Sequence, residues 1–190
     1  MKILVIDNYD SFTFNLVHIL EKLGAETMAV YRNDKIDLAE VAQYDKIVLS
    51  PGPGLPSDSH ILKDIIQQYG SSKSILGVCL GHQAIAEAYG GSLKNLERVF
   101  HGVKTKISVS SEGDYLFSGM PGSFECGRYH SWVVSSDDFP EELEVTARDG
   151  NGEVMALAHK EYDIRGVQWH PESILTDRGE QLLENWLNNN

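Results

Sequence analysis

The stretch Ser74–Gly91, SILGVCLGHQAIAEAYGG, passes from a short apolar run into a helix-like segment through a cysteine with a glycine two residues away on each side. Ser74 to Val78 reads as a buried strand, and the residues from about Leu80 to Tyr89 carry helical spacing. The junction Gly77-Val-Cys-Leu-Gly81 has the pattern of a nucleophile elbow, a strand-to-helix turn so sharp that larger flanking side chains would clash. A lone free cysteine in an apolar setting is ordinarily a core residue. Cys79 is therefore either a small core residue or a nucleophile on a turn, and the surrounding chain has to decide.

Upstream, the β-then-α pattern repeats. Lys2–Ile6 is a doubly buried strand, Phe12–Leu23 a helix with Leu16, Ile19, Leu20 and Leu23 on one face, Thr27–Tyr31 a strand, and Asp45–Ser50 another. A Gly/Pro loop, SPGPGLPSD, then leads to a helix over Asp58–Tyr69, capped near Ser57 or Asp58. Strands alternating with helices predict an α/β fold with a mostly parallel sheet covered on both faces.

After Gly102 the texture changes to short β-rich runs: VKTKISV, RYHSWVV, LEVTAR, EVMALAH and IRGVQW. These predict a smaller, mixed or antiparallel β-rich addition in the C-terminal half. The chain closes on a helix with Leu182, Leu183, Trp186 and Leu187 as its apolar stripe, Asp177 as N-cap and Glu180 three residues later. The three final asparagines are expected to fray. No repeat, low-complexity tract or linker divides the 190 residues, so one domain over 1–190 is expected.

The formal charge of -12 argues against a nucleic-acid partner, because phosphate binding depends on clustered Lys and Arg. No stretch approaches the roughly 18 apolar residues of a membrane span, and MKILVIDNYD lacks the pattern of a signal peptide. A cytoplasmic protein with free thiols at Cys79 and Cys126, acting on a small molecule or a protein, is the expectation.

In parallel α/β sheets, ligands collect beyond the carboxyl ends of the strands. The Gly52-Pro53-Gly54 loop, the Cys79 turn and the WHPES run after Ile164–Gln168 all fall at such ends. At a helix N-terminus the dipole favours thiolate, and the Leu80 N–H is free to donate to an oxyanion. A thiolate attacking an amide needs a proton donor for the leaving nitrogen. His170 supplies one, with Pro171 fixing the backbone and Glu172 in reach of the far ring nitrogen, whereas His82, three residues after Cys79, reads as a packing or helix-surface residue. Cys79, His170 and Glu172 are also zinc-ligand types, but no CxxC, HxxxH or regularly spaced fourth ligand accompanies them, and no metal is expected.

Taken together, SPGPG (50–54), GVCLGHQ (77–83), RYHS (128–131) and QWHPES (168–173) resemble the class I, or triad, glutamine amidotransferases, in the family's order and over most of the chain. Within it, VIDNYDSFTFNLV resembles the glutaminase subunits of chorismate-using synthases. The resemblance implies a flavodoxin-like fold, hydrolysis of L-glutamine without a cofactor in this chain, and ammonia delivery to a separate synthase. That partner would be anthranilate synthase component I or aminodeoxychorismate synthase component I. It further implies Cys79 as nucleophile, His170 as base and acid, Glu172 as orienting carboxylate, Gly54 and Leu80 as oxyanion donors, and Gly52, Pro53, Gln83, Ser131 and Trp132 around the glutamine. Trp132 stands where the branch usually has leucine, and Val103 where lysine is frequent. Three other readings are an amidotransferase branch that feeds ammonia to GMP, CTP or carbamoyl phosphate synthesis, whose chains are usually longer or differ in the N-terminal segment, a PfpI-type cysteine hydrolase, in which histidine usually follows the cysteine directly, and a flavodoxin-like binding module with an inert Cys79.

Overall fold

The computed structural model describes residues 1–59, 61–110 and 113–189. The strands are β1 (Ile3–Asp7), β2 (Met28–Arg32), β3 (Lys46–Leu49), β4 (Ser74–Val78), β5 (Leu93–Asn95), β6 (Val103–Val109), β7 (Ser123–Arg128), β8 (Trp132–Val134), β9 (Leu143–Asp149), β10 (Val154–His159) and β11 (Ile164–Val167). The helices are α1 (Thr13–Lys22), α2 (Leu62–Tyr69), α3 (Leu80–Ala88) and α4 (Gly179–Asn188).

Among the described residues, one nine-stranded sheet runs in the order β2-β1-β3-β4-β11-β10-β9-β6-β7, and β5 pairs with β8 separately. The first five strands are mutually parallel, and their order is that of a flavodoxin-like sheet. From β11 onward every pairing is antiparallel, which is the β-rich addition expected from the sequence.

Strand alternation decides what each face buries. On β1, Ile3 and Val5 join Leu16, Leu20, Leu182, Leu183 and Trp186 on the α1/α4 face. Leu4 and Ile6 point the other way, to Leu62, Ile65, Ile66, Ala84 and Ile85 of α2 and α3. Both faces of the central strands are thus apolar, and the polar chemistry is confined to their ends.

Four expectations differ in detail. RYHSWVV is not one strand: β7 ends at Arg128 and the chain resumes as β8, because the carbonyls of Arg128, His130 and Ser131 accept from Gly102, Phe100 and Leu96 of a crossing loop. Asp177 does not cap α4. Arg178 occupies that position at φ 63, Asp177 pairs with Lys104, and Glu180 reaches Lys22 on α1. Asp58 belongs to a short 3-10 turn, Pro56–Asp58, where its carboxylate accepts from Leu55 N–H at 3.0 Å, and α2 starts later with no side-chain cap. Of the terminal asparagines, Asn188 is helical and the Asn189 carbonyl accepts from Lys46 at 2.6 Å; Asn190 lies outside the described residues. No described helix is long and apolar enough to cross a membrane.

Candidate active site

Cys79 sits between β4 and α3 at φ 52, ψ -98, a conformation a non-glycine residue adopts only when its surroundings force it. The flanking glycines make that turn possible. A Cβ on Gly77 would come within 2.5 Å of the Gly81 carbonyl group, and one on Gly81 would overlap the Leu49 carbonyl. The cysteine N–H is tied to Val167 O at 2.9 Å, and Leu80, as the first helical residue, has no intrahelical acceptor for its own N–H.

His170 enters just past β11, its backbone N–H held by Gly127 O at 3.1 Å and its carbonyl receiving the Thr176 hydroxyl at 2.6 Å. The ring is buried between Phe12 and Tyr129, which both meet it edge-on, with centroids 5.5 and 4.9 Å away. Glu172 Oε1 lies 2.6 Å from Nδ1. Nε2 has no hydrogen-bond partner of good geometry among the described residues, although Cys79 is near enough to act on the ring. Burial opposes the imidazolium, but the sulfur and then Glu172 outweigh it and push the ring up to about 10. A charged imidazole beside the sulfur is the counter-ion a thiolate needs.

The loop after β3 completes the mouth. Gly52 packs against Asn8 so closely that a Cβ would meet the Asn8 Cβ at 2.5 Å and the Leu80 side chain at 2.8 Å. Asn8 in turn donates to Ser50 O and accepts from Asn33 and Ser59, which fixes the loop on the end of β1. Gly54 takes φ +77, and a Cβ there would meet the Asp58 carboxylate.

A cavity of about 200 Å³ opens over the cysteine. Gly52, Pro53, Gly54, Cys79, Leu80, Gln83, Ser131 and Trp132, all expected from the sequence, line it, while His170 and Glu172 are not among its lining residues. Its remaining wall is Val99, Phe100 and His101, from a loop with no periodicity to single them out, and Tyr129 and His130, which the RYHS segment contains but which were not expected at the site. Larger cavities exist, one of about 550 Å³ at the amino ends of β3, β4 and β11 beside Lys46 and Asp163, but its lining has neither cysteine nor histidine. His82, the other histidine near Cys79, is buried and packs over Gly166, whose Cβ would come 2.8 Å from its Nδ1. Among the described residues no group of three or more His, Cys, Asp or Glu is placed to hold a metal ion.

The chain is matched over residues 4–190 by a family model, that of "Glutamine amidotransferase class-I". The chain belongs to the class I glutamine amidotransferases. It is 46% identical to aminodeoxychorismate synthase component 2 of Escherichia coli, over 97% of this chain and 98% of that one. It is 45% identical to anthranilate synthase component 2 of Pyropia yezoensis, again over 97% and 98%. Against the bifunctional protein TrpGD of Thermotoga maritima, at 42% identity, it spans only 32% of the relative's length. Among solved structures, a "putative gmp synthase subunit a protein" from Thermoplasma acidophilum superposes with a TM-score of 0.87 at 28% identity, covering 98% of this chain and 92% of the other. As a member of this family the chain is a glutamine amidotransferase.

Proposed function

We propose that the chain is the glutaminase subunit of a chorismate-using synthase, foremost anthranilate synthase, and that Cys79, His170 and Glu172 carry its reaction. The observation behind the reading is the elbow cysteine beside a buried imidazolium whose far nitrogen is held by a carboxylate.

The Cys79 thiolate attacks the side-chain carboxamide carbon of glutamine, and the resulting oxyanion is met by the N–H groups of Leu80 and Gly54. Each such donor contributes a factor of about 10² to 10³ in rate. As the C–N bond breaks, His170 gives its Nε2 proton to the departing nitrogen, which leaves as ammonia, and a thioester remains. The now neutral His170 takes a proton from water, whose oxygen attacks the thioester. That proton restores the imidazolium, and collapse expels the sulfur as thiolate and releases the acid, which loses its carboxyl proton to solvent as glutamate. Glu172 holds the ring's proton on Nδ1 whenever the ring is neutral, so that Nε2 faces the chemistry.

The partner is expected to dock over the cavity mouth. Ile174, two residues beyond Glu172, is 99% exposed, Val99 on the cavity wall is 68% exposed, and Tyr9 and Phe14 flank the loop after β1 with large exposed rings. Solvent-exposed apolar side chains next to a site that releases ammonia suit a protein that covers it.

Identity to an anthranilate synthase component and to an aminodeoxychorismate synthase component is nearly equal, so service to the second enzyme, or to both, is the alternative. The choice is tested by mixing the purified chain with each component I in turn and measuring anthranilate and aminodeoxychorismate formed from glutamine. Stimulation of the first alone supports the main reading; stimulation of the second alone overturns it.

A further inference from the structure

A line of buried hydrogen bonds runs from an ion pair on β7 and β9 to the sulfur of Cys79, and the chemistry of each member sets its direction. Arg128 can only donate. It gives Nη1–H to Asp149 Oδ2 at 2.6 Å and Nε–H to His130 Nε2 at 3.0 Å. His130 Nε2 must therefore accept, which leaves the proton of the neutral ring on Nδ1, 2.9 Å from the Trp132 carbonyl oxygen. Burial and then Arg128 push His130 down to about 3, consistent with a neutral ring.

A carbonyl can only accept, so Gln83, whose Nε2 is 2.9 Å from the same Trp132 oxygen, must turn its NH₂ towards it. The second hydrogen of that NH₂ meets Gln168 Oε1 at 3.1 Å. Gln168 consequently carries its own NH₂ on the far side, where Nε2 lies 3.6 Å from Cys79 Sγ. Flipping Gln168 would set two NH₂ groups against each other. Arg128 and Gln168 are fully buried and Gln83 and Cys79 almost so, so water offers no alternative partner for a reversed amide.

We propose that Gln168 donates a hydrogen bond to the Cys79 thiolate and that Gln83 fixes the direction of this bond. The donor stabilises the sulfur anion before attack and again when the thioester sulfur is expelled. Both Nε2 hydrogens of Gln83 are used in the line, which confines its contact with glutamine to its carbonyl oxygen. The inference rests on Cys79 being the nucleophile, and it is tested without glutamine.

The measurement is the rate at which iodoacetamide alkylates Cys79 between pH 5 and 10, located by peptide mass spectrometry with the buried Cys126 as internal reference. Gln168→Met is expected to slow Cys79 alkylation roughly tenfold at neutral pH, with the difference closing at the alkaline end of the range. Gln83→Met is expected to slow it less, and to add nothing in the double variant, because both act through one bond. If the methionine variant does not fold, Gln168→Glu keeps the shape and replaces the donor by an acceptor. Equal rates at neutral pH in the folded Gln168 variant, a deficit independent of pH, or an additive double variant would each overturn the proposal while leaving the nucleophile intact. Alkylation of Cys79 no faster than Cys126 in the unmodified protein would instead remove the nucleophile assignment itself, and this inference with it.

Discussion

Glu172 Oε1 stands 2.6 Å from His170 Nδ1, and both side chains are buried, so the carboxylate is committed to the imidazole. Glu172→Gln removes the charge and can place an amide N–H against Nδ1, which turns the ring's proton away from its working position. Catalytic turnover is expected to fall roughly 10²- to 10⁴-fold, with KM changing far less.

The same contact has a pH signature. His170 is held at about 10 against an ordinary 6.5, by Cys79 and Glu172 acting against burial. Its folded value is the higher one, so its contribution to stability is fully present below about pH 6.5 and is lost as the pH rises through about 10. Activity is expected to fall on the alkaline side near pH 10, and in Glu172→Gln that fall moves to lower pH. A kcat/KM profile of the two proteins reads the shift; coincident alkaline limbs would contradict it.

His82 should report in the opposite direction. Burial pushes it down to about 3 against the Gly166 backbone, which raises it only in part because neither ring nitrogen makes a hydrogen bond of good geometry among the described residues. The folded value is the lower one, so the neutral ring's contribution is present above about pH 6.5 and is lost as the pH falls towards about 3. His82→Met is expected to reduce the pH dependence of unfolding between pH 4 and 6 by about 1.4 kcal/mol per pH unit. Urea titrations at several pH values measure this, and parallel curves for the two proteins would refute it.

The elbow tolerates no side chain at Gly81, where a Cβ would overlap the Leu49 carbonyl, whereas a Cβ at Gly150 meets nothing within 4 Å. Gly81→Ala is expected to cost roughly 2–3 kcal/mol or to prevent folding, and Gly150→Ala to change stability by less than about 0.5 kcal/mol. Thermal unfolding of both variants distinguishes them.

At the amino end of the central strands, Lys46 donates to the carbonyls of Trp186 and Asn189 at 2.9 and 2.6 Å and ties the end of α4 to the start of β3. Lys46→Met strands those carbonyls and is expected to cost roughly 1–3 kcal/mol while leaving alkylation of Cys79 unchanged. Chemical denaturation measures the loss.

Much of this was legible in the sequence because it is local. β4 ends where Gly77 and Gly81 demand a turn, so the strand, the helix after it and the position of Cys79 follow from one short stretch. The expectation that Cys79, His170 and Glu172 gather on one side of the sheet followed from chemistry placed at strand ends. What the sequence hid depends on distant backbone. Arg128–Val134 has the composition of a strand, but the loop from Leu96 to Gly102 captures its carbonyls and bends it into the cavity wall. Asp177 looks like a cap by its type, yet the close approach of Gly179 to Pro171 sets the start of α4 and puts Arg178 into the left-handed region. The roles of Arg128 and Gln168 were equally hidden, since no spacing rule connects Asp149, Arg128, His130, Gln83 and Gln168.

The account is tested most directly by pairing Cys79→Ser with a purified chorismate-using synthase component I and assaying aminated product from glutamine and, separately, from added ammonia. The expected result is loss of the glutamine-dependent reaction to background, with the ammonia-dependent reaction and the complex retained. Glutamine-dependent product from the Cys79→Ser protein at the rate of the unmodified chain would contradict it.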